Sequence, residues 1–420
     1  MTDQPLRVAI ISLNYAPERT GIARYTSSLA QGLHKRGHRV QVITTHPHYP
    51  EWSIHEGYGQ WRRDELVDDV PVRRLRHYVP KRPSWIPRAI SELTFGVRAL
   101  LTSWGRPDVV VLPSPALFAC SLVLLRARLF TRRAATVVWV QDLYSLGAAE
   151  TQGGTGAAVQ ALSRVESATL GAADGVALIH SRFRDQVVDK LRVEPGRVGV
   201  IRNWTSVGAV DRAIDRQAVR LRLGWSPDEL VLMHTGNMGV KQGLENIVEM
   251  ARIAEATQYP VRVVFTGGGS QKERLVELAA GLSNVQFLDS LPDGEFEEAL
   301  NSADILLLNE KPGVAEMAVP SKLTTYFSTG LPVVAATDAA SISAAEVDVS
   351  GGGVRVDPGD PAALFEAVTR LGADSALRAR LGMAGRKFRD AYLAEDAAID
   401  SYEQWLQQLV DNHALKGTSA

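Results

Sequence analysis

A proline, a serine and a lysine stand together in residues 319–335, VPSKLTTYFSTGLPVVA, at the entry to a short helical stretch. Pro320 fixes the approach of the chain, Ser321 can cap the helix, and the free N–H groups of a first helical turn form an anion site. Lys322 adds a mobile positive charge at the same place. Gly330 stops the helix, and residues 332–335 follow as a buried strand. Alone, the pattern describes a well-capped helix as readily as a phosphate site. A second loop of phosphate-binding type lies upstream in the same half, residues 234–244, HTGNMGVKQGL. There Gly236 and Gly239 frame Asn237, and Lys241, Gln242 and Gly243 open a helix. Small residues let a phosphate approach the backbone, and Lys241 can neutralise it. Gly267, Gly268 and Gly269 form another open loop, at the end of the next strand.

The first half offers fewer such residues. Residues 13–21, LNYAPERTG, connect a strand to a helix and place backbone N–H groups at the strand exit, with Gly21 at the helix start. No GxGxxG follows this strand, which argues against a nicotinamide enzyme. Gln141 and Asp142 follow a buried strand, where substrates bind or where a buried Asp142 supports the loop. His46 and His48 sit two apart in a Pro-rich loop, residues 46–52, with no third ligand near. That spacing excludes an ordinary metal site and suggests an aromatic loop over a sugar or lipid-linked acceptor. No Asp-x-Asp of the kind that holds a metal on a diphosphate is present.

Two sets of alternating elements must position these residues. Strands are predicted at 8–12, 40–44, 109–112, 136–140, 175–179 and 198–201, and again at 230–234, 261–266, 285–288, 305–308 and 332–335. Helical patterns lie between them, at 21–36, 86–104, 117–129, 156–170 and 181–191 in the first half. Continuous apolar strands alternating with helices imply parallel sheets covered on both faces. A chain of 420 residues holds two or three domains. The expected division is an α/β domain over 1–204, a second over 205–396, and a tail over 413–420. The helix at about 397–412, with Ile399, Tyr402, Trp405, Leu406 and Leu409 on one face, is expected to pack back on the first domain. Ligands of such sheets bind beyond the carboxyl ends of the strands.

Charge is uneven. The net value is −1, yet residues 1–200 carry 26 Lys and Arg against 17 Asp and Glu, and residues 201–420 carry 20 against 30. The average argues against a nucleic-acid partner, while the basic half suggests an anionic membrane surface or phosphorylated acceptor. Arg62, Arg63, Arg73, Arg74, Arg76, Lys81, Arg82 and Arg88 form the expected cluster. Cys120 is the single cysteine, so no intramolecular disulfide forms. No signal peptide or spanning segment is visible, and a soluble, cytoplasmic protein is expected, with peripheral membrane contact left open.

The segments NYAPERTGIARYTSSLAQGLHKRGHRVQVIT, VQDLY, TGNMGVKQGLENIVEMA, VFTGGGSQKERL and VPSKLTTYFSTGLPVVA together resemble group 4 glycosyltransferases of the GT-B type. The similarity is greatest to the colanic-acid and exopolysaccharide branch. It implies two Rossmann-like domains facing across a cleft. It also implies transfer of a sugar, with retention, from a nucleotide-diphosphate sugar on the second domain to a glycan or lipid-linked acceptor on the first. No cofactor and no essential metal are expected. The donor would meet Gly21, Gly236, Asn237, Lys241, Gln242, Gly267, Gly268, Gly269, Glu310, Ser321, Lys322, Leu323 and Thr325. Lys241, Lys322, Gln141 and Asp142 are the catalytic candidates.

This chain departs from the family pattern at several positions. Asn237 stands where the family carries a diphosphate-gripping arginine, and Gln242 where it carries lysine. The Glu-x7-Glu pair falls on Met317 and Thr325, and the family histidine falls on Gln141. Glu310 and Glu316 are the nearby carboxylates. A hydrolysing nucleotide-sugar epimerase and a non-catalytic scaffold of a glycan assembly complex are the alternative expectations.

Overall fold

The computed structural model describes residues 4–18, 21–82, 84–131, 133–145, 157–204, 214–313 and 321–418. The chain divides into two compact units, one of Met1–Asn203 with Glu395–Ala420, the other of Trp204–Ala394.

In the first unit the β-branched runs form an eight-stranded sheet. Its strands are β1 (Arg7–Ile11), β2 (Arg39–Thr45), β3 (Arg62–Val67), β4 (Val70–Leu75), β5 (Val109–Ser114), β6 (Ala135–Val140), β7 (Gly175–Leu178) and β8 (Val198–Val200). Their order is β3-β4-β2-β1-β5-β6-β7-β8. Helices α1 (Ile22–Lys35), α2 (Trp85–Leu100), α3 (Leu117–Phe130), α4 (Ala157–Ala172) and α5 (Ser181–Asp185) connect them. Both β5 and β6 are buried at every position, as strands covered on two faces must be.

One edge departs from the sequence expectation. Strand β3 pairs antiparallel with β4 through a tight turn whose central residues, Asp68 and Asp69, both have positive φ. Such a turn matches the twist of a hairpin. The polar, alternating β3 has no apolar run to announce it.

The second unit has a wholly parallel sheet in the order β11-β10-β9-β12-β13-β14. These are β9 (Leu230–Thr235), β10 (Val261–Thr266), β11 (Val285–Leu288), β12 (Ile305–Asn309), β13 (Val333–Ala336) and β14 (Gly353–Val356), the last unanticipated. Helices α6 (Arg216–Leu223), α7 (Glu245–Ala256), α8 (Lys272–Leu278), α9 (Asp293–Ser302), α10 (Ser321–Thr329), α11 (Ile342–Ser350), α12 (Pro361–Ala373) and α13 (Ser375–Tyr392) cover it. One apolar cluster centres on Ile247, Val263 and Leu307, the other on Val264, Leu306 and Tyr326. From β9 the chain builds outward to β11, then crosses back to lay β12 on the other side of β9. That reversal opens a crevice at the carboxyl ends of β9 and β12.

The terminal helix α14 (Glu395–Thr418) belongs to the first unit. Tyr402 packs on Trp139 of β6, with ring centroids 5.3 Å apart. The Trp405 ring lies so close over Gly175 and Gly199 that a Cβ at either would come within about 3 Å of it. Polar contacts line the margin: Arg36 meets Asp400 at 2.5 Å, and His38 Nε2 meets Glu403 at 2.9 Å.

Candidate functional site

The switch point of the second unit gathers residues from three distant segments. Lys322, in the first turn of α10, brings its Nζ to 3.1 Å from His234 Nε2 at the end of β9. His234 is fully buried, and its Nδ1 lies 3.1 Å from the Leu307 carbonyl oxygen of β12. Burial first, then the Lys322 charge, lowers His234 well below the usual histidine range, so the ring is neutral. A carbonyl oxygen can only accept, so the Leu307 contact is a hydrogen bond in the tautomer with the proton on Nδ1, and in that tautomer Nε2 accepts from the Lys322 ammonium; the Asn237 backbone is a further hydrogen-bond partner of the ring. Burial also lowers Lys322, to about 8, opposed by the nearby Glu310 carboxylate. The pair forms a desolvated cation held in one orientation, a suitable partner for an anion arriving at the crevice.

Two further residues set this geometry. Tyr326, fully buried one turn after Lys322, accepts from the Thr235 N–H at 3.0 Å and donates to Leu307 O at 3.3 Å. One phenol thus ties α10 to the ends of β9 and β12. Asn309, at the end of β12, donates to the carbonyls of Gln242 and Gly243 at 2.8 and 2.9 Å and accepts from Asn246 at 2.8 Å. It anchors the far end of the glycine loop.

That loop differs from the expectation of a row of free N–H groups. Gly236 N–H donates to Thr266 O at 2.7 Å, Met238 N–H to Gly268 O at 2.8 Å, and Gly239 N–H to Gln242 Oε1 at 3.0 Å. The loops after β9 and β10 are laced back to back. A Cβ on Gly267 would lie 2.4 Å from Gly236 O, and one on Gly269 2.5 Å from Met238 O, with both glycines at positive φ. Gly267, Gly268 and Gly269 therefore support the first loop. Gln242 caps it rather than reaching outward. What faces the Lys322 side is Gly236, whose absent Cβ would stand 3.4 Å from Lys322 Cε. Asn237 and Lys241 are exposed, and the Lys241 carbonyl accepts from Lys311 N–H at 2.8 Å.

Glu310 follows β12 and accepts from the hydroxyls of Thr337 and Ser343, one on each carboxylate oxygen. The Leu323 side chain is buried in the core, so only its backbone can meet a ligand. Thr325 is half-buried on α10. Glu316, Met317, Pro320 and the Ser321 side chain lie outside the described residues, although α10 does begin at Ser321.

In the first unit, Gly21 precedes α1 with φ 59°, a conformation that favours glycine. Gln141 is buried and exchanges hydrogen bonds with Asn203, at 3.1 and 2.7 Å. Both ends of its amide are occupied by this pair. Asp142 is solvent-exposed and makes no hydrogen bond among the described residues, yet surrounding protein raises its carboxyl to about 6. The loop after it is held by two buried carboxylates. Glu166 accepts from the N–H groups of Tyr144 and Ser145, at 2.6 and 3.1 Å, and Glu92 accepts from the Tyr144 hydroxyl. Burial pushes Glu92 up to about 7.

His46 and His48 turn inward instead of lining a surface. His46 Nε2 meets the Gln60 carbonyl at 2.7 Å, and burial lowers both rings. Buried Glu18, in the loop after β1, accepts from His48 and Tyr49 N–H at 2.7 and 2.9 Å and binds the two loops together. No group of three metal-ligating side chains occurs among the described residues.

His234, Tyr326, Asn309 and Glu18 were not predicted. A polar residue ending an apolar strand is the one signal that marks His234 and Asn309. Tyr326 reads in sequence as one more core aromatic.

Comparison with known proteins matches residues 20–204 to a glycosyl transferase 4-like domain and residues 229–374 to the glycosyl transferases group 1 domain. The chain is 31% identical over 339 residues to WcaI of Escherichia coli (strain K12), a glycosyl transferase assigned to colanic acid biosynthesis. That alignment covers 77% of this chain and 82% of the relative. Among solved structures, sucrose-phosphate synthase from Thermosynechococcus elongatus superposes with TM-score 0.71 at 19% identity, covering 96% and 99% of the two chains. HepE of Anabaena in complex with UDP superposes with TM-score 0.70 at 13% identity, covering 96% and 100%. These likenesses identify the two α/β units as the GT-B fold.

Proposed function

This chain belongs to the GT-B glycosyltransferases of groups 1 and 4, and we propose that it moves a sugar from a nucleotide-diphosphate donor to a lipid-linked saccharide, in exopolysaccharide-type glycan synthesis. The observation that carries this reading is the Lys322–His234 pair at the switch point between β9 and β12. Cleavage of a glycosyl phosphate leaves an oxocarbenium-like sugar and a diphosphate that gains negative charge. A fixed, half-buried ammonium beside a helix N-terminus is suited to that leaving group, because its orientation is already set before reaction.

The transfer proceeds with retention and without an essential metal. The bond from C1 to the phosphate oxygen breaks, a bond from C1 to the acceptor oxygen forms on the same face, and the acceptor proton passes to the departing phosphate. Lys322 and the first N–H groups of α10 stabilise the diphosphate. Asn237 is exposed at the position of the family arginine, and exposed Lys241 stands one residue before Gln242, the position of the family lysine. Thr325 is the candidate for the ribose. Asp142, on the first unit, is the candidate to orient the acceptor. UDP in HepE and the colanic-acid assignment of WcaI support the donor and acceptor classes.

The test is transfer from a set of nucleotide-diphosphate sugars to lipid-linked sugar diphosphates in the presence of EDTA. The anomeric configuration of the product is read by NMR. Transfer with retention under chelation is expected. Inversion, or strict loss with EDTA, would overturn the mechanism. Release of free sugar and nucleotide without any acceptor would favour an epimerase-type hydrolysis.

A further inference from the structure

The cationic cluster expected from sequence is largely neutralised within the fold. Asp64 pairs with Arg62 and Arg73, and Glu65 with Arg63 and the fully buried Arg74. Arg88 lies over the Trp52 ring. Arg76, Lys81 and Arg82 remain exposed, with no ion pair among the described residues, and they lead directly into α2.

Helix α2 buries Ser91, Glu92, Phe95, Gly96 and Ala99 and turns a different stripe outward. Ile86, Ile90, Leu93 and Val97 are exposed, followed by Leu101 just past the helix end. Their spacing of four, three, four and four residues is one continuous face of a helix about 24 Å long. Val97 is 47% and Leu101 76% exposed. Helix α3 packs on α2 where Gly96 meets Ala119 and Leu122, and it adds exposed Leu125, Leu129 and Phe130. Trp61 is stacked under Arg98, and Trp85 begins α2; both rings are mostly exposed. Isolated exposed apolar residues are ordinary, but a regular stripe shared by two touching helices marks a docking surface.

Charge selects the occupant. Residues 76–107 carry six Lys and Arg against one carboxylate, the buried Glu92. Residues 109–141 carry four Arg and no carboxylate. An apolar stripe with tryptophans and cations, and without exposed acids, has the composition of an element lying in an anionic lipid interface. No described helix is long and apolar enough to cross a membrane, so the contact lies along the surface.

We propose that the α2–α3 face docks the first unit on an anionic bilayer, with Ile86, Ile90, Leu93 and Val97 at the headgroup level and Arg76, Lys81 and Arg82 on lipid phosphates. The idea takes its motive from the lipid-linked acceptor proposed above, while its observations stand apart from that reading.

The experiment is flotation of the full chain with vesicles of phosphatidylcholine, with and without phosphatidylglycerol, at low and high salt. Flotation only with the anionic vesicles at low salt is expected. The R76E/K81E/R82E variant is expected to bind on the order of 100-fold more weakly, at about fivefold per cation. I90E/V97E is expected to stay in the unbound fraction, while V349E, on an exposed site of the second unit, floats as the parent does. All six substituted positions are solvent-facing, and a thermal melt of each variant confirms the fold. Absence of flotation, or flotation unchanged in I90E/V97E, overturns the proposal. So does a parent dimer by light scattering that I90E/V97E converts to monomer, which makes the face an interface between copies. Nucleotide binding measured on the same samples keeps the two readings separable. Lost flotation with intact nucleotide binding counts against the surface alone, and the reverse counts against the transferase.

Discussion

Lys322 is a cation held where burial disfavours its charge, and this has a measurable consequence for stability. Its proton is held with a pKa of about 8 in the folded chain, against 10.5 for an ordinary lysine. Below pH 8 both folded and unfolded chains carry the proton, and no pH dependence arises from this group. Above pH 8 the folded chain releases it while the unfolded chain keeps it. The unfolded state then binds more protons, so stability rises with pH until about 10.5. The full gain is about 3 kcal/mol, of which about 2 kcal/mol arrives between pH 7 and 9.5.

The perturbation is Lys322→Met, which removes the titration and keeps the volume. That variant leaves His234 Nε2 without its donor, an added cost that does not change with pH while the ring stays neutral. The assay is urea unfolding of parent and variant across pH 7–9.5, following the second unit. Taking the difference between the two proteins cancels every other titrating group. The parent is expected to gain about 2 kcal/mol on the variant over this range. A difference independent of pH, or one of opposite sign, refutes the desolvated-cation account of Lys322.

Other consequences are more local. Lys322→Ala should lower turnover by about 100-fold or more, as for loss of one oriented charge donor, and unchanged turnover would remove Lys322 from the mechanism. Lys322→Arg should abolish any alkaline fall in kcat/KM near pH 8, because guanidinium keeps its charge; a limb that persists belongs to another group. Tyr326→Phe should cost about 1–2 kcal/mol in unfolding free energy by orphaning the Thr235 N–H, and a neutral effect would show that α10 is placed by packing alone. Gly269→Ala should cost at least about 2 kcal/mol, since its Cβ would meet Met238 O at 2.5 Å; a variant with the parent's melting curve would deny that the two glycine loops are locked together.

The alternation of strands and helices was legible because buried parallel strands are continuous apolar runs, as in β5 and β6. The hairpin of β3 and β4 was not, because an edge strand reading RRDELV opens with four consecutive charges, on both faces, and gives little hydrophobic signal. Its Asp68–Asp69 turn was the available clue, two residues that tolerate positive φ between short β-branched runs. In the candidate site, Gly236 and Lys322 were visible because a glycine at a strand exit and a lysine in the first turn of a helix both suit an arriving anion. The contacts that build the site were hidden, since Lys322 meets His234 across 88 residues, Tyr326 meets Thr235 across 91 and Glu310 meets Thr337 across 27, all through sheet topology. The glycine triplet invited a ligand reading, and its role in bracing the neighbouring loop emerges only when both strand exits are seen together. The basic cluster misled for a similar reason: Asp64 and Glu65, counted separately, fold directly onto four of its arginines.

The most direct test of the central claim is calorimetric titration of the parent and Lys322→Ala with UDP, GDP, ADP, CMP and TDP, alongside a thermal-shift panel. A nucleotide at about 100 times its dissociation constant adds roughly 2.7 kcal/mol of stability, well within range of a melting curve. One nucleoside diphosphate bound clearly by the parent and at least tenfold more weakly by the variant is the predicted result. Silence across the panel, or equal binding by both proteins, would contradict a donor site built on Lys322 and favour a scaffold without catalysis.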